Sequence, residues 1–211
     1  MLAITKTLFN QDVFFLLLLL SFFLIALIKR FYWKQAKLLF MGAFSRRYAN
    51  QYLKESNAFT ERLNLTTFFL MIINITLLIV KVKEILDLWK IFYVFCFVVL
   101  FYVIKITIIK SLGHLFKLND ISVLAVFFSL LYDKTFGFLL FPLLVLFYFF
   151  LFNVSYYITL SLLLLFVFIL IFKLFCFWKI GIKSFGFSPF YIFLYLCFFE
   201  IFPILLVFKI C

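Results

Sequence analysis

Positions 13–28 form a run of sixteen residues without a charge, closed by Lys29 and Arg30. Similar uncharged runs return at 65–80 and 136–152. Hydrocarbon offers backbone amides no partner, so a segment that crosses it must satisfy its own N–H and C=O groups, as an α-helix does. About 20 residues at ~1.5 Å each cover a hydrocarbon core of about 30 Å. A chain of 211 residues that is 69% hydrophobic and 25% aromatic cannot bury such runs in a soluble fold. The expected fold is therefore all-α, a polytopic helical membrane bundle. About six transmembrane helices are expected, over 13–32, 65–80, 88–109, 136–152, 156–177 and 190–208, in one integral membrane domain covering 1–211.

Two further pieces are expected between the spans. In 33–64, the longest polar stretch, Phe40, Phe44, Tyr48 and Tyr52 recur every four residues among Lys34, Lys37, Arg46, Arg47 and Lys54. That pattern suits an interfacial helix in the first loop, with Gly42 and Ser45 as places where it breaks. The loop either fixes orientation by its charge or contacts headgroups or a partner through Arg46, Arg47 and Tyr48. Anionic lipids and polyprenyl phosphates are the headgroups it suits. The second piece is 121–132, twelve residues closed by Asp133 and Lys134, too short to span and read as a re-entrant or interfacial helix before the fourth span.

The net charge of +12 would suggest nucleic acid in a soluble protein, but here the cations gather at the ends of apolar runs, where they set topology. No nucleic-acid partner is expected. Fourteen Lys and Arg fall on the face of the first, third and fifth loops and five on the other. This imbalance places the fourteen in the cytoplasm and both termini in the periplasm. The first run is followed by Lys29 and Arg30 with no small-residue cleavage site, so it reads as a retained helix.

Polar residues inside the apolar runs are the candidate functional positions. Glu200 is the one acid deep in a hydrophobic span, and Pro203 frees the carbonyl of Phe199 beside it. Lys105 lies four residues before the end of the third span, where its side chain reaches the interface or pairs with Glu200. Asn74, near the middle of the second span, reads as a hydrogen-bonding link between helices or as a ligand. His114 is the single histidine, placed in the loop after the third span as an interfacial residue or a proton relay. One histidine and four cysteines without a CxxC pair leave no expected metal or cofactor site.

The segment Tyr195-Leu-Cys-Phe-Phe-Glu200-Ile-Phe-Pro203, followed by Lys209, resembles the C-terminal signature of domain-of-unknown-function family 4271, a group of Bacteroidota inner-membrane proteins. Phe44-Ser45-Arg46-Arg47-Tyr48, Lys105 with Gly113 and Phe116, and Leu139-Leu140-Phe141-Pro142 extend the resemblance over most of the chain. Arg46 stands where the motif of that family carries Asn. The resemblance implies a bacterial inner membrane and brings no established activity.

Three functions remain in view. A non-enzymatic subunit or assembly factor of a membrane complex fits a chain without a carboxylate pair, a nucleophile with its base, or a metal cluster near the headgroups. A small transporter or polyprenyl-lipid handling protein would use the intramembrane Glu200, although no internal repeat accompanies it. A lipid-active membrane enzyme comes third.

Overall fold

The computed structural model describes residues 2–149 apart from 56, 84–86, 116 and 118, and beyond them positions 164, 167, 168, 171 and 175 alone. Apart from those five positions, the expected fifth and sixth spans, with Glu200 and Pro203, lie outside the described residues. The described elements are six helices: α1 Leu2–Phe31, α2 Trp33–Phe44, α3 Arg46–Lys54, α4 Ala58–Val82, α5 Leu88–Leu115 and α6 Asn119–Phe149. Four stretches in them are long and apolar enough to cross a membrane: Asp12–Phe31, Ala58–Val82, Leu88–Ser111 and Ser122–Leu146.

Two compact units divide the chain, Met1–Tyr102 with Ser129–Leu160, and Val103–Phe128 with Ser161–Cys211. The second includes, among the described residues, the end of α5 and the start of α6, in which Lys105, Ile109 and Ser122 are buried.

In the first unit α4 is the central helix. Leu70, Met71, Ile72, Ile73 and Asn74 are all buried in succession, more than one face of a helix can supply, so neighbours pack on several sides. On one side lies α1, antiparallel to it. Tyr32 meets Phe59 at one end with ring centroids 6.3 Å apart, Ser21 meets Asn74 in the middle, and Phe14 lies under the Lys81 ammonium at the other end, 5.8 Å from it. Helix α6 completes this layer, antiparallel to α1. Phe22 faces Phe141, and Phe14 stacks on Tyr148 with centroids 5.4 Å apart. Against another side of α4 packs the first half of α5, through Val94, Val98 and Tyr102 on Met71 and Ile72, with Phe68 meeting Tyr102 edge-on.

This register gives the bundle a scale. From Phe59 to Lys81 the rise along α4 is about 33 Å, and from Phe14 to Tyr32 along α1 it is about 27 Å. Both are close to the ~30 Å of a hydrocarbon core, with aromatic and cationic side chains at each end as at the two faces of a bilayer.

The helix boundaries follow local chemistry. Asn57 opens α4 eight residues before the expected span: its Oδ1 accepts from the Thr60 N–H at 3.1 Å, while the Thr60 hydroxyl oxygen accepts from the Asn57 N–H at 2.9 Å. The polar stretch after α1 is two helices that pack on each other. Their chain reverses at Ser45, which is extended at φ −140° and ψ 125°. Gly42 lies within α2 and not at the break; it permits the close approach of α3, since a Cβ there would stand 3.2 Å from the Ala49 backbone.

One sequence expectation is corrected. The short helix expected over 121–132 and the described part of the separate span expected over 136–152, residues 136–149, belong to one continuous helix, α6, of 31 residues. Asp133 and Lys134 suggested a chain break because charge in hydrocarbon is costly. Instead both stay in the helix: Asp133 is half-buried, and Lys134 is buried and donates to the Asn64 side chain of α4 at 3.0 Å.

Candidate functional site

At the middle of the α1–α4–α6 layer, the Asn74 side chain is fully buried and engaged at both ends. Its Nδ2 donates to the Gly137 carbonyl at 2.8 Å, and its Oδ1 accepts from the Ser21 hydroxyl at 2.9 Å. A backbone carbonyl only accepts, so the amide nitrogen must face Gly137 and the oxygen Ser21; the orientation of the amide is chemically determined.

Sequence places these three groups where they can meet. Asn74 sits on the middle turns of α4, Ser21 is the single hydroxyl within the apolar run of α1, and Gly137 brings α6 in close because it has no side chain. A Cβ at 137 would lie 2.6 Å from Met71 Cα. Five residues on, Pro142 lacks the N–H that the Phe138 carbonyl would otherwise receive, so the Asn74 amide supplies a donor to α6 one residue before that gap.

A second polar contact joins α4 and α6 through Lys134 and Asn64. An ammonium only donates, so Asn64 Oδ1 faces it and the Asn64 NH2 group points elsewhere. Neither Ser21, Gly137, Asn64 nor Lys134 stood out in the sequence as a site residue. For Lys134 the signal was there: a lysine with twelve largely apolar residues on either side and neither Gly nor Pro from 121 to 136, where the break was expected.

The remaining candidates are spread out. Lys105 is 3% exposed on α5, held within the protein, while Glu200, its expected partner, lies outside the described residues together with Pro203. His114 is exposed near the end of α5. Arg46 begins α3, and Arg47 and Tyr48 follow it with exposed side chains. On the opposite face of α3, Tyr52 is buried, and its hydroxyl donates to the Thr60 carbonyl of α4 at 3.3 Å. Burial pushes its phenol above the ordinary range, because the ionised form is the one that loses hydration. Among the described residues no three His, Cys, Asp or Glu come together as metal ligands.

A family model described as domain of unknown function DUF4271 matches residues 14–211. The chain belongs to that family. No curated protein and no solved structure matches it. In this DUF4271 member, the described part of the domain is thus a helical layer pinned by Asn74, with Lys134 and Asn64 as a second polar contact. The stretches that carry the resemblance sit on different elements: Ser45 to Tyr48 at the reversal and in α3, Lys105 in α5, and Leu139 to Pro142 in α6.

Proposed function

We propose that the chain is a multi-pass protein of the bacterial inner membrane that acts without catalysis, as a subunit or assembly factor of a membrane complex. The Asn74 contact supports this reading best. A buried amide engaged by Ser21 and Gly137 stiffens three helices against one another and offers little to a passing cargo. Outward from that layer the helices present Phe15, Phe22 and Phe23 on α1 and Trp89, Phe92 and Tyr93 on α5, broad apolar faces for lipid and for the helices of other subunits. Exposed Lys34, Lys37 and Arg47 on α2 and α3 suit anionic headgroups on the cytoplasmic side. With Lys134 inside a helix, the cation count by side becomes thirteen against five, and both termini remain periplasmic in this reading.

Purification of the full chain in mild detergent, followed by quantitative mass spectrometry, tests the proposal. A stoichiometric membrane partner is the expected result. A chain that leaves the membrane alone, at every detergent strength tried, overturns it.

A second reading, a small transporter or polyprenyl-lipid handling protein, draws on Glu200, the acid that the sequence places in a hydrophobic span, and on the buried Lys105 as a second intramembrane charge. Glu200→Gln separates the two. Normal protein level and normal assembly with lost function favour coupling through that acid, and loss of the protein itself favours packing.

A further inference from the structure

The outer faces of α2 and α3 differ in chemistry. At about 100° per residue, the buried residues of α2, Ala36, Leu39, Gly42 and Ala43, fall within an arc of roughly 120°. The opposite arc is exposed and interleaves apolar with cationic side chains: Trp33, Phe44, Lys37, Met41 and Lys34, in order around the helix. Trp33 is 54% exposed and Met41 38%. Helix α3 buries Ala49 and Tyr52, and across from them it exposes Asn50, Lys54, Arg47 and Gln51, with no apolar side chain among the four. That face suits water. The α2 face has the composition of a helix at the boundary of headgroups and acyl chains, where apolar bodies sink among the chains and lysine stems carry their ammonium groups back to the phosphates.

The location agrees. Tyr32, between α1 and α2, meets Phe59 at one end of the α1–α4–α6 layer, and the Tyr52 hydroxyl ties α3 to the Thr60 carbonyl next to it. The hairpin is thus held at both of its ends where the layer leaves hydrocarbon. Of the aromatic residues that recur here every four positions, Phe40 turns to Phe138 of α6, with centroids 4.6 Å apart, and Tyr52 turns to α4, so protein and not lipid receives these two. Charge selects the lipid. Positions 29–62 carry eight Lys and Arg against two acids, Glu55 and Glu61, an excess that attracts an anionic surface. We propose that α2 rests on the leaflet at the Tyr32–Phe59 end through Trp33, Lys34, Lys37 and Met41 and gathers anionic lipid there, with α3 turned to water. The headgroup contact of the proposed function thereby falls to Lys34 and Lys37 and not to Arg47; it rests on the membrane location of the chain and holds with or without a partner subunit.

Trp33 reads the contact directly. The full chain with Trp89→Phe and Trp178→Phe is reconstituted in mixed phosphatidylcholine and phosphatidylglycerol, with bromine on the acyl chains of one lipid or the other. Quenching of Trp33 then gives the relative association of the two lipids. Phosphatidylglycerol should be favoured at least about fivefold, the factor that one lysine near an anionic surface supplies. Lys34→Gln with Lys37→Gln should bring the ratio to about one, and Arg47→Gln with Lys54→Gln should leave it within about twofold. All four side chains are exposed, so both pairs should keep the fold. A preference lost with the α3 pair and kept with the α2 pair overturns the proposal, as does equal quenching by the two lipids. No quenching by either overturns it too, because protein, a second copy or another subunit, then covers the arc. Amine labelling of the wild type needs no substitution: phosphatidylglycerol vesicles, against phosphatidylcholine ones, should slow Lys34 and Lys37 several-fold more than Lys54. Equal slowing of the three, or none, contradicts the proposal.

Discussion

Gly137 lies against Met71 so closely that a Cβ built on it stands 2.6 Å from the Met71 Cα and 2.9 Å from its Cβ. Because the first of these atoms is backbone, no rotamer change can make room, and α6 must move away from α4. Gly137→Ala is therefore expected to destabilise the protein by about 1–3 kcal/mol, the range of overpacked cores. Met71→Ala should not rescue it. Thermal melting of the single and double variants in detergent checks both statements, and full rescue would show that side-chain crowding, not backbone approach, set the cost.

Asn74 couples Ser21 to Gly137, so its removal is felt on two helices at once. Asn74→Leu leaves the Ser21 hydroxyl without its acceptor in a buried place, with a combined cost expected to exceed that of Ser21→Ala. A double-mutant cycle between the two should give a coupling of about 0.6 kcal/mol, and no more than ~1.7, as for hydrogen bonds inside membranes. Additive effects would place the contribution of Asn74 in packing alone.

Tyr52 makes the junction of α3 with α4 sensitive to alkali. Its phenol is raised in the folded protein, so the neutral form is the one the fold favours. The resulting stability is fully present below the ordinary value of 10.0 and is lost as pH climbs above it, because the unfolded chain gives up its proton first. Melting temperatures at pH 9 and pH 11 should fall further in the wild type than in Tyr52→Phe, which lacks the titrating group and pays for it with the hydrogen bond to Thr60. Equal falls in the two proteins would show that the alkaline loss arises elsewhere.

The hairpin of α2 on α3 depends on the absence of a side chain at 42. Gly42→Val puts bulk 3.2 Å from the Ala49 backbone and should part the two helices. Exposure of the Ser45–Arg46–Arg47 reversal then follows, and limited trypsin digestion of opened membranes, accessible on both sides, should cut there several-fold faster. Unchanged cleavage would mean that the hairpin accommodates the branch.

The helices were legible in the sequence where apolarity ran unbroken. The runs at 13–28 and 65–80 both lie in helices that cross the layer, because nothing but a helix satisfies the backbone of such a run. The start of α4 was not legible, because the apolar run begins only at Leu65 while the capping pair Asn57 and Thr60 lies in the polar stretch before it. Nor was the continuity of α6. A charged pair within a helix and a charged pair ending one look alike until the partner of Lys134 is known, and Asn64 is seventy positions away. The site posed the same difficulty: Asn74 is conspicuous in an apolar span, but Ser21 and Gly137 become its partners only through the register of three helices, which no local pattern encodes.

Lys81, Phe14 and Tyr148 at one end and Tyr32 with Phe59 at the other also set how this molecule responds to its solvent. In lipids with short chains the helices must lean to keep both groups wetted, and the Asn74 pin at mid-length requires α1, α4 and α6 to lean together. Bilayer thickness is thereby converted into one collective angle, so lipid chain length becomes a variable to which the whole layer, and any subunit seated on it, is mechanically coupled.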